Sequence, residues 1–371
     1  MNRYHQTLAS IWEAVSGAGA LQNVIDLSRF HRIQASPGYR RAAQWLHRAL
    51  LQAGLEAQVL SYPAEERLRF WAWPGFQEWD CSEGTLHLVA PEAEAALLAD
   101  YRACHLSLIQ RSASFDGEVE VVLLEGTQDG EVEADYAGLD VAGKVVLTRG
   151  NVRRVRELAV QERGAAGILY DGLRPVPPVR CEGDLAAARQ YTAFWSDPGA
   201  GRAFGFVLTP RQGLALRRLL RRGEMVRVRA RVLAEEYDGS LEVVSATIPG
   251  RAGRPKEILV TAHLCHPQPS ANDNASGVAA ALEAARALQG LILSGALPRP
   301  WHTIRFLWMP EMTGTFAYLS GRDADLGSML AGLNLDMVGA SQDQAGSAWL
   351  IERPPDAAAS FAPELLALLR D

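Results

Sequence analysis

The sequence predicts an α/β fold: a mixed, mostly parallel sheet with helices on both faces, plus an inserted β-rich unit. Three observations predict it. Ile258-Leu259-Val260, Thr303 to Met309 and Ala331 to Leu335 are short apolar runs of the kind that form strands buried on both faces. A helix-length segment separates each run from the next, as βαβ units require. From about residue 117 to 223 the pattern changes to short strands and turns with one short helix, so that stretch reads as an insert. Residues 1–116 and 224–371 would then be the two parts of the main domain.

Composition bounds the function classes. The chain has 371 residues, 48% hydrophobic and 22% charged, ordinary values for a folded chain of one large domain or two. A net charge of -6 gives no electrostatic reason to expect nucleic acid or an anionic membrane as partner. Met1 to Gln6 lacks the apolar core of a signal peptide, and no run approaches membrane-spanning length. Cys81, Cys104, Cys181 and Cys265 form no CxxC pair, which argues against a disulfide framework. A cytoplasmic location is expected; oligomeric state is not legible.

In chain order, residues up to about Asp26 read as helix, with Leu8, Ile11, Trp12 and Val15 at helical spacing. Ser36-Pro37-Gly38 is a turn and helix start. Ala43, Leu46, Leu50 and Leu51 form the buried stripe of that helix, Gly54 ends it, and Glu56 to Tyr62 follows as a strand. Trp71, Trp73 and Trp79 either cover a hydrophobic face or form an aromatic lid over a substrate pocket. In the insert, a strand is expected at Val119 to Leu124, Tyr136 to Gly150 reads as a turn feeding another, and the β-rich pattern continues through Gly164 to Asp171 and Gly205 to Thr209. A helix is expected from Val155 to Arg163, a proline-rich loop from Arg174 to Pro178, and a second helix from Pro210 to Arg222. Arg217, Arg218, Arg221 and Arg222 read as a solvated face of that second helix, with an anion-binding cluster as the alternative. Val226 to Val232 alternates as a strand and returns the chain to the main sheet.

The chemistry gathers at three strand ends. The first run stops at His263, and a loop with two prolines delivers Asn272-Asp273-Asn274 ahead of an Ala-rich helix. The second ends in Pro310-Glu311, and the third leads into Asp336. Ligands of parallel sheets bind beyond the carboxyl ends of the strands. An imidazole and three carboxylates there suit a divalent metal with an acid–base group beside it.

These motifs, Arg32-Ile33 with Ser36-Pro37-Gly38-Tyr39, Asn272-Asp273-Asn274-Ala275-Ser276-Gly277, Glu311, and Asn334-Leu335-Asp336-Met337-Val338-Gly339, resemble the zinc-dependent aminopeptidases related to bacterial leucyl aminopeptidase and glutamate carboxypeptidase II. The likeness is closest to their bacterial aminopeptidase-like branch. It implies a three-layer zinc-exopeptidase sandwich, with the 117–223 insert as a protease-associated domain. It also implies zinc held by His263, a bridging Asp273 and Asp336, with Glu311 as general base. The substrate implied is a small peptide or amide conjugate.

The departures are specific. Met312 stands where the family has a second glutamate that ligates a second metal, and a late ligand histidine is missing, since the last His is His302. One zinc is therefore expected more readily than two. The family's H-x-D reads His263-Leu264-Cys265. His266 is either a substitute or outer ligand or a loop His bonded to backbone; Cys265 is either a ligand or a buried thiol. Two explanations of the missing ligands are a truncated chain and a lineage that has shed its second metal. Two rival functions remain: a metal-depleted binding or scaffold protein, and a single-zinc transferase of the glutaminyl-cyclase kind.

Overall fold

The computed structural model describes residues 3–177, 180–195, 201–251, 253, 256–346, 350–355 and 360–370. Pro178, the end of the expected proline-rich loop, lies outside them. The chain divides into two compact units, one of residues 1–78 with 238–371 and the other of residues 79–237.

The first unit opens with α1 (Arg3–Ala14) and α2 (Gly17–Leu27), two helices where one was expected. Ser16 separates them, its hydroxyl accepting from Gly19 N at 3.0 Å as an N-cap. Leu8, Trp12 and Val15 are exposed, so that apolar spacing does not mark a core face. In α3 (Pro37–Gln52) Ser36 is the cap, accepting from Tyr39 N at 3.1 Å, and Pro37 opens the helix. Gly38 is required there, because a Cβ would stand 1.9 Å from His31 O. The buried stripe is Tyr39, Ala42, Ala43, Leu46 and Leu50. Leu51, expected in it, is half exposed, being one residue and about 100° off that face. Then come β1 (Glu56–Ala64) and a small hairpin of β2 (Arg69–Phe70) and β3 (Trp73–Pro74).

The second unit holds β4 (Glu78–Ala90), β5 (Ala96–Asp100), β6 (Phe115–Leu123), β7 (Val145–Thr148), α4 (Val152–Val155) with a wider-wound continuation to Gln161, β8 (Gly167–Tyr170), β9 (Phe204–Val207), α5 (Pro210–Arg221) and β10 (Arg227–Tyr237). Its seven-stranded sheet runs β5-β4-β10-β6-β7-β8-β9, with β6 to β9 parallel. The unit is thus wider than the 117–223 expected from sequence. It gains residues at both ends: β4 and β5 belong to its sheet, and β10, expected in the main sheet, pairs antiparallel along β6 instead, from Arg227 opposite Glu120 to Val232 opposite Phe115, satisfying an edge that would otherwise lie bare. Arg217 corrects another expectation. It is buried and donates through Nη2 and Nε to the buried Asp171 carboxylate at 2.8 and 3.0 Å, so it is not part of a solvated face.

The chain returns to the first unit as β11 (Gly239–Ile248), β12 (Glu257–His263), α6 (Gly277–Leu293), β13 (Thr303–Met309), α7 (Thr313–Ser320), β14 (Met329–Asn334), α8 (Gln342–Ala345) and α9 (Ala362–Arg370). The five-stranded sheet is ordered β1-β11-β13-β12-β14. Only β12–β13 and β12–β14 are parallel; β1–β11 and β11–β13 are antiparallel, so the sheet is evenly mixed rather than mostly parallel. Strand β11 is the element that changes this balance.

Alternation sorts the faces. Val244, Ala246, Phe306 and Trp308 pack with Leu27 of α2, Leu46 and Leu50 of α3, and Val278, Leu282 and Ala285 of α6. Val243, Leu307 and Met309 point the other way, against Tyr318 of α7. The run Ala271–Leu293 is, contrary to expectation, long and apolar enough to cross a membrane at 23 residues, but its buried stripe is the one that packs on this sheet. From β12 the chain moves one way to β13 through α6, then back across to β14 through α7 on the opposite face. That reversal is a topological switch point at the carboxyl end of β12.

Candidate metal centre

Register brings the strand ends level. His263 pairs with Met309 across β12–β13, and Thr261 with Asn334 across β12–β14. Beyond the last pairs, Leu264 N donates to Met309 O and Leu335 N to Thr261 O, both at 2.8 Å, so Glu311 and Asp336 leave the sheet beside His263.

His263 Nε2 lies 3.3 Å from Asp273 Oδ1 and 3.4 Å from Asp336 Oδ1. The three donor atoms lie within 4.8 Å of one another, and burial rises from Asp336 through Asp273 to His263. Zinc bonds of about 2.0–2.1 Å at tetrahedral angles place neighbouring donors about 3.3 Å apart, so the spacing and the one-nitrogen, two-oxygen donor set fit a zinc ion. A second group, His263, Cys265, His266 and Glu311, also has its donor atoms within 4.8 Å, sharing His263 with the first. Asp273 and Asp336 thus meet His263 in one group, and Glu311, Cys265 and His266 meet it in the other.

Cys265 is buried against the far side of His263, with Sγ 3.6 Å from His263 Nδ1 and 3.8 Å from His266 Nδ1. The same sulfur accepts from Glu311 N at 3.2 Å. It occupies the position of a group that orients the His263 ring. His266 has φ 133°, its Nδ1 lies 3.0 Å from Cys265 O, and its Nε2 reaches within 3.6 Å of Asp273 Oδ2.

The electrostatics follow from this crowding. Burial disfavours charge on His263, but Asp273, Cys265 and Asp336 outweigh it and hold the imidazolium up to about 11. Asp273 is pushed below the ordinary carboxylate range, chiefly by its contact with His263 and further by His266 and Arg32. Burial pushes the Cys265 thiol up, yet contacts with His263 and His266 bring it down to about 7. His266 loses some basicity to burial and regains more from Cys265 and Asp273, so it too is raised.

Two supports were not recognised from sequence as such. Asn274 is buried and ties the ends of β12 and β14 together: its Nδ2 donates to Leu335 O at 2.9 Å and His263 O at 3.4 Å. Its Oδ1 accepts from Gly277 N at 3.0 Å and Met337 N at 3.1 Å. Gly277 permits this approach, since a Cβ there would meet Leu335 O at 2.2 Å and Asn274 Oδ1 at 2.4 Å. The asparagines flanking Asp273 were the available signal. The second support is Met312, with φ 55° and ψ -64°. Thr313 N donates to Glu311 O at 2.5 Å, so Glu311-Met312-Thr313 is a γ-turn of the strained, positive-φ kind. Strain of this sort gathers at functional sites. The tryptophans divide: Trp73 stacks on Phe316 at 4.7 Å and donates to Thr313 Oγ1 at 3.1 Å, Trp71 is half exposed, and Trp79 is buried in the second unit.

Comparison with known proteins places the chain. Residues 24–347 match the family described as a domain of unknown function, DUF4910. A Clostridium acetobutylicum protein named for polysaccharide biosynthesis with an aminopeptidase-like domain is 36% identical over 102 residues, which are 28% of this chain and 21% of that one. The match thus spans about a fifth of that relative's length. Among solved structures, a zinc aminopeptidase from Bacillus subtilis superposes with TM-score 0.60 at 18% identity, covering 87% of this chain and 69% of that one. A peptidase M28 precursor from Shewanella amazonensis gives 0.60 at 16%, covering 88% and 73%. An aminopeptidase from Aneurinibacillus sp. strain AM-1 gives 0.54 at 22%, covering 90% and 73%. The chain belongs to the DUF4910 family and has the mixed α/β fold of M28-type zinc aminopeptidases.

Proposed function

We propose that this protein is a zinc-dependent hydrolase of amide bonds, aminopeptidase-like, acting on a small peptide or amide conjugate. The observation that carries the proposal is the spacing of His263 Nε2 from Asp273 Oδ1 and Asp336 Oδ1, 3.3 and 3.4 Å, at the edge length of a zinc tetrahedron. The fold likeness to zinc aminopeptidases supports it.

His263, Asp273 and Asp336 would hold the ion. When bound, zinc supplies positive charge that acidifies water and polarises an amide carbonyl. Glu311, exposed at the end of β13, takes the proton of the attacking water on its carboxylate and returns it to the leaving nitrogen as the C–N bond breaks. Cys265 Sγ beside Nδ1 turns the other ring nitrogen of His263 toward the carboxylates. Met312, a thioether where the zinc aminopeptidases it resembles have a second metal-binding glutamate, favours one ion over two.

Zinc titration by calorimetry, with amino-acid amides as substrates, tests this. We expect one ion per chain, and Glu311→Gln should keep that zinc while losing about 10²–10⁴-fold in rate. A protein that takes up no zinc is a binding or scaffold protein instead. Release of ammonia from N-terminal glutamine without hydrolysis would mark the transferase.

A further inference from the structure

Arg32, in the lead-in to α3, is completely buried, and its partners are carbonyl oxygens. Nε donates to Leu264 O at 2.9 Å and Nη2 to Ser270 O at 3.2 Å, gripping both ends of the loop between His263 and Asp273. Nη1 donates to Leu27 O at 2.5 Å and Phe30 O at 3.2 Å, anchoring the other side of the guanidinium at the end of α2. The Arg32 backbone closes a two-bond bridge with His266, N to O at 3.0 Å and O from N at 2.8 Å.

The gripped loop needs holding. His266 sits at φ 133° and Ser270 at φ 37°, conformations that side-chain-bearing residues hold only where their surroundings over-determine them. A planar fork with donors on both sides can span carbonyls on two elements; a lysine ammonium cannot. We propose that Arg32 is a positioning residue of the metal centre, a clamp that holds the strained 264–270 loop so that His263 and Asp273 meet at ligand distance. The proposal rests on the zinc reading of the site.

Sign separates this role from simple electrostatics. Burial lowers Arg32 to about 10, so it remains a cation at neutral pH, within electrostatic reach of Asp273. Removing that charge would by itself favour a divalent ion. The clamp demands the opposite.

The test uses Arg32→Met, Arg32→Lys and Ser270→Gly in the full chain, with zinc affinity measured by chelator competition and backbone exchange by mass spectrometry. Arg32→Met should weaken zinc about 10–100-fold, the usual cost of losing an outer support, despite losing a repelling charge. Arg32→Lys should lose about 10-fold or more although it keeps the charge. Glycine is unstrained at the Ser270 conformation, so Ser270→Gly should recover several-fold in the Arg32→Met background and change wild-type affinity less than about twofold. In metal-free Arg32→Met, amides of 264–274 should exchange about 10-fold faster while those of β12 and β13 hold. Equal or tighter zinc binding in Arg32→Met overturns the proposal. So does full affinity in Arg32→Lys, the variant that decides the matter where Arg32→Met fails to fold, and so does unchanged loop exchange. A wild type that binds no zinc refutes the proposed function, and the exchange of the metal-free loop then decides the role of Arg32 alone.

Discussion

Zinc uptake near neutral pH should release close to one proton per ion. The source is His263, whose imidazolium is held up to about 11 by Asp273, Cys265 and Asp336 against the opposing effect of burial. At pH 7 the ring is therefore charged in the metal-free protein, whereas a ligand imidazole must have a free Nε2 lone pair. Displacing the proton costs about 1.4 kcal/mol for each pH unit below that value, on the order of 5 kcal/mol at pH 7. Zinc affinity should thus rise about tenfold per pH unit between roughly 6.5 and 8.5. The linkage in the metal-free protein has the complementary sign. The raised His263 stabilises the fold fully below about 6.5 and loses that contribution as pH climbs through about 11. The depressed Asp273 stabilises it above its ordinary value of 3.8 and loses that contribution as acid protonates it. Calorimetry in two buffers of different ionisation enthalpy counts the protons directly. A count near zero, or affinity flat across that range, would refute the assignment of His263 as a charged group displaced by the ion.

Three substitutions extend the reasoning. Asn274→Ala removes the tie between the ends of β12 and β14 and should weaken zinc about 10–100-fold, read by chelator competition. Cys265→Ala removes the sulfur beside His263 Nδ1 and should cost about 10-fold in the same assay while the circular-dichroism spectrum stays native. Met312→Gly relieves a positive-φ γ-turn worth about 1–3 kcal/mol. Set against the extra backbone entropy of glycine, about 0.5–1 kcal/mol, the net should be about 1 kcal/mol of added stability in urea unfolding.

Legibility followed the range of the forces involved. Strands β12, β13 and β14 were visible because each is a compact apolar run, and the residues that leave their ends could be read off directly. Strand β11 was missed although it lies between β1 and β13, since Glu242, Ser245 and Thr247 interrupt its apolar pattern. Glu242 is buried and paired with Arg40 at 2.6 Å, a long-range compensation that no local window contains. Arg217 failed for the same reason: its partner Asp171 is 46 residues away. Trp12 failed in the opposite sense, since helical spacing predicts a stripe but not that anything will cover it. At the site, the kinds of residue could be read but their supports could not. The hydrogen bonds of Asn274 to Leu335 and Met337, and of Arg32 to Leu264 and Ser270, exist only after the sheet has closed.

Asn274 carries a last consequence. The side chain that ties the ends of β12 and β14 is a carboxamide, and a carboxamide has no proton to gain or lose anywhere in the biological range. In the proposed zinc enzyme, mild acid should therefore evict the ion by recharging the imidazole while the cradle keeps its outline. Return to neutral pH should, in that proposed enzyme, reload the ion without any refolding step, as a socket is refilled and not as a knot is untied and tied again.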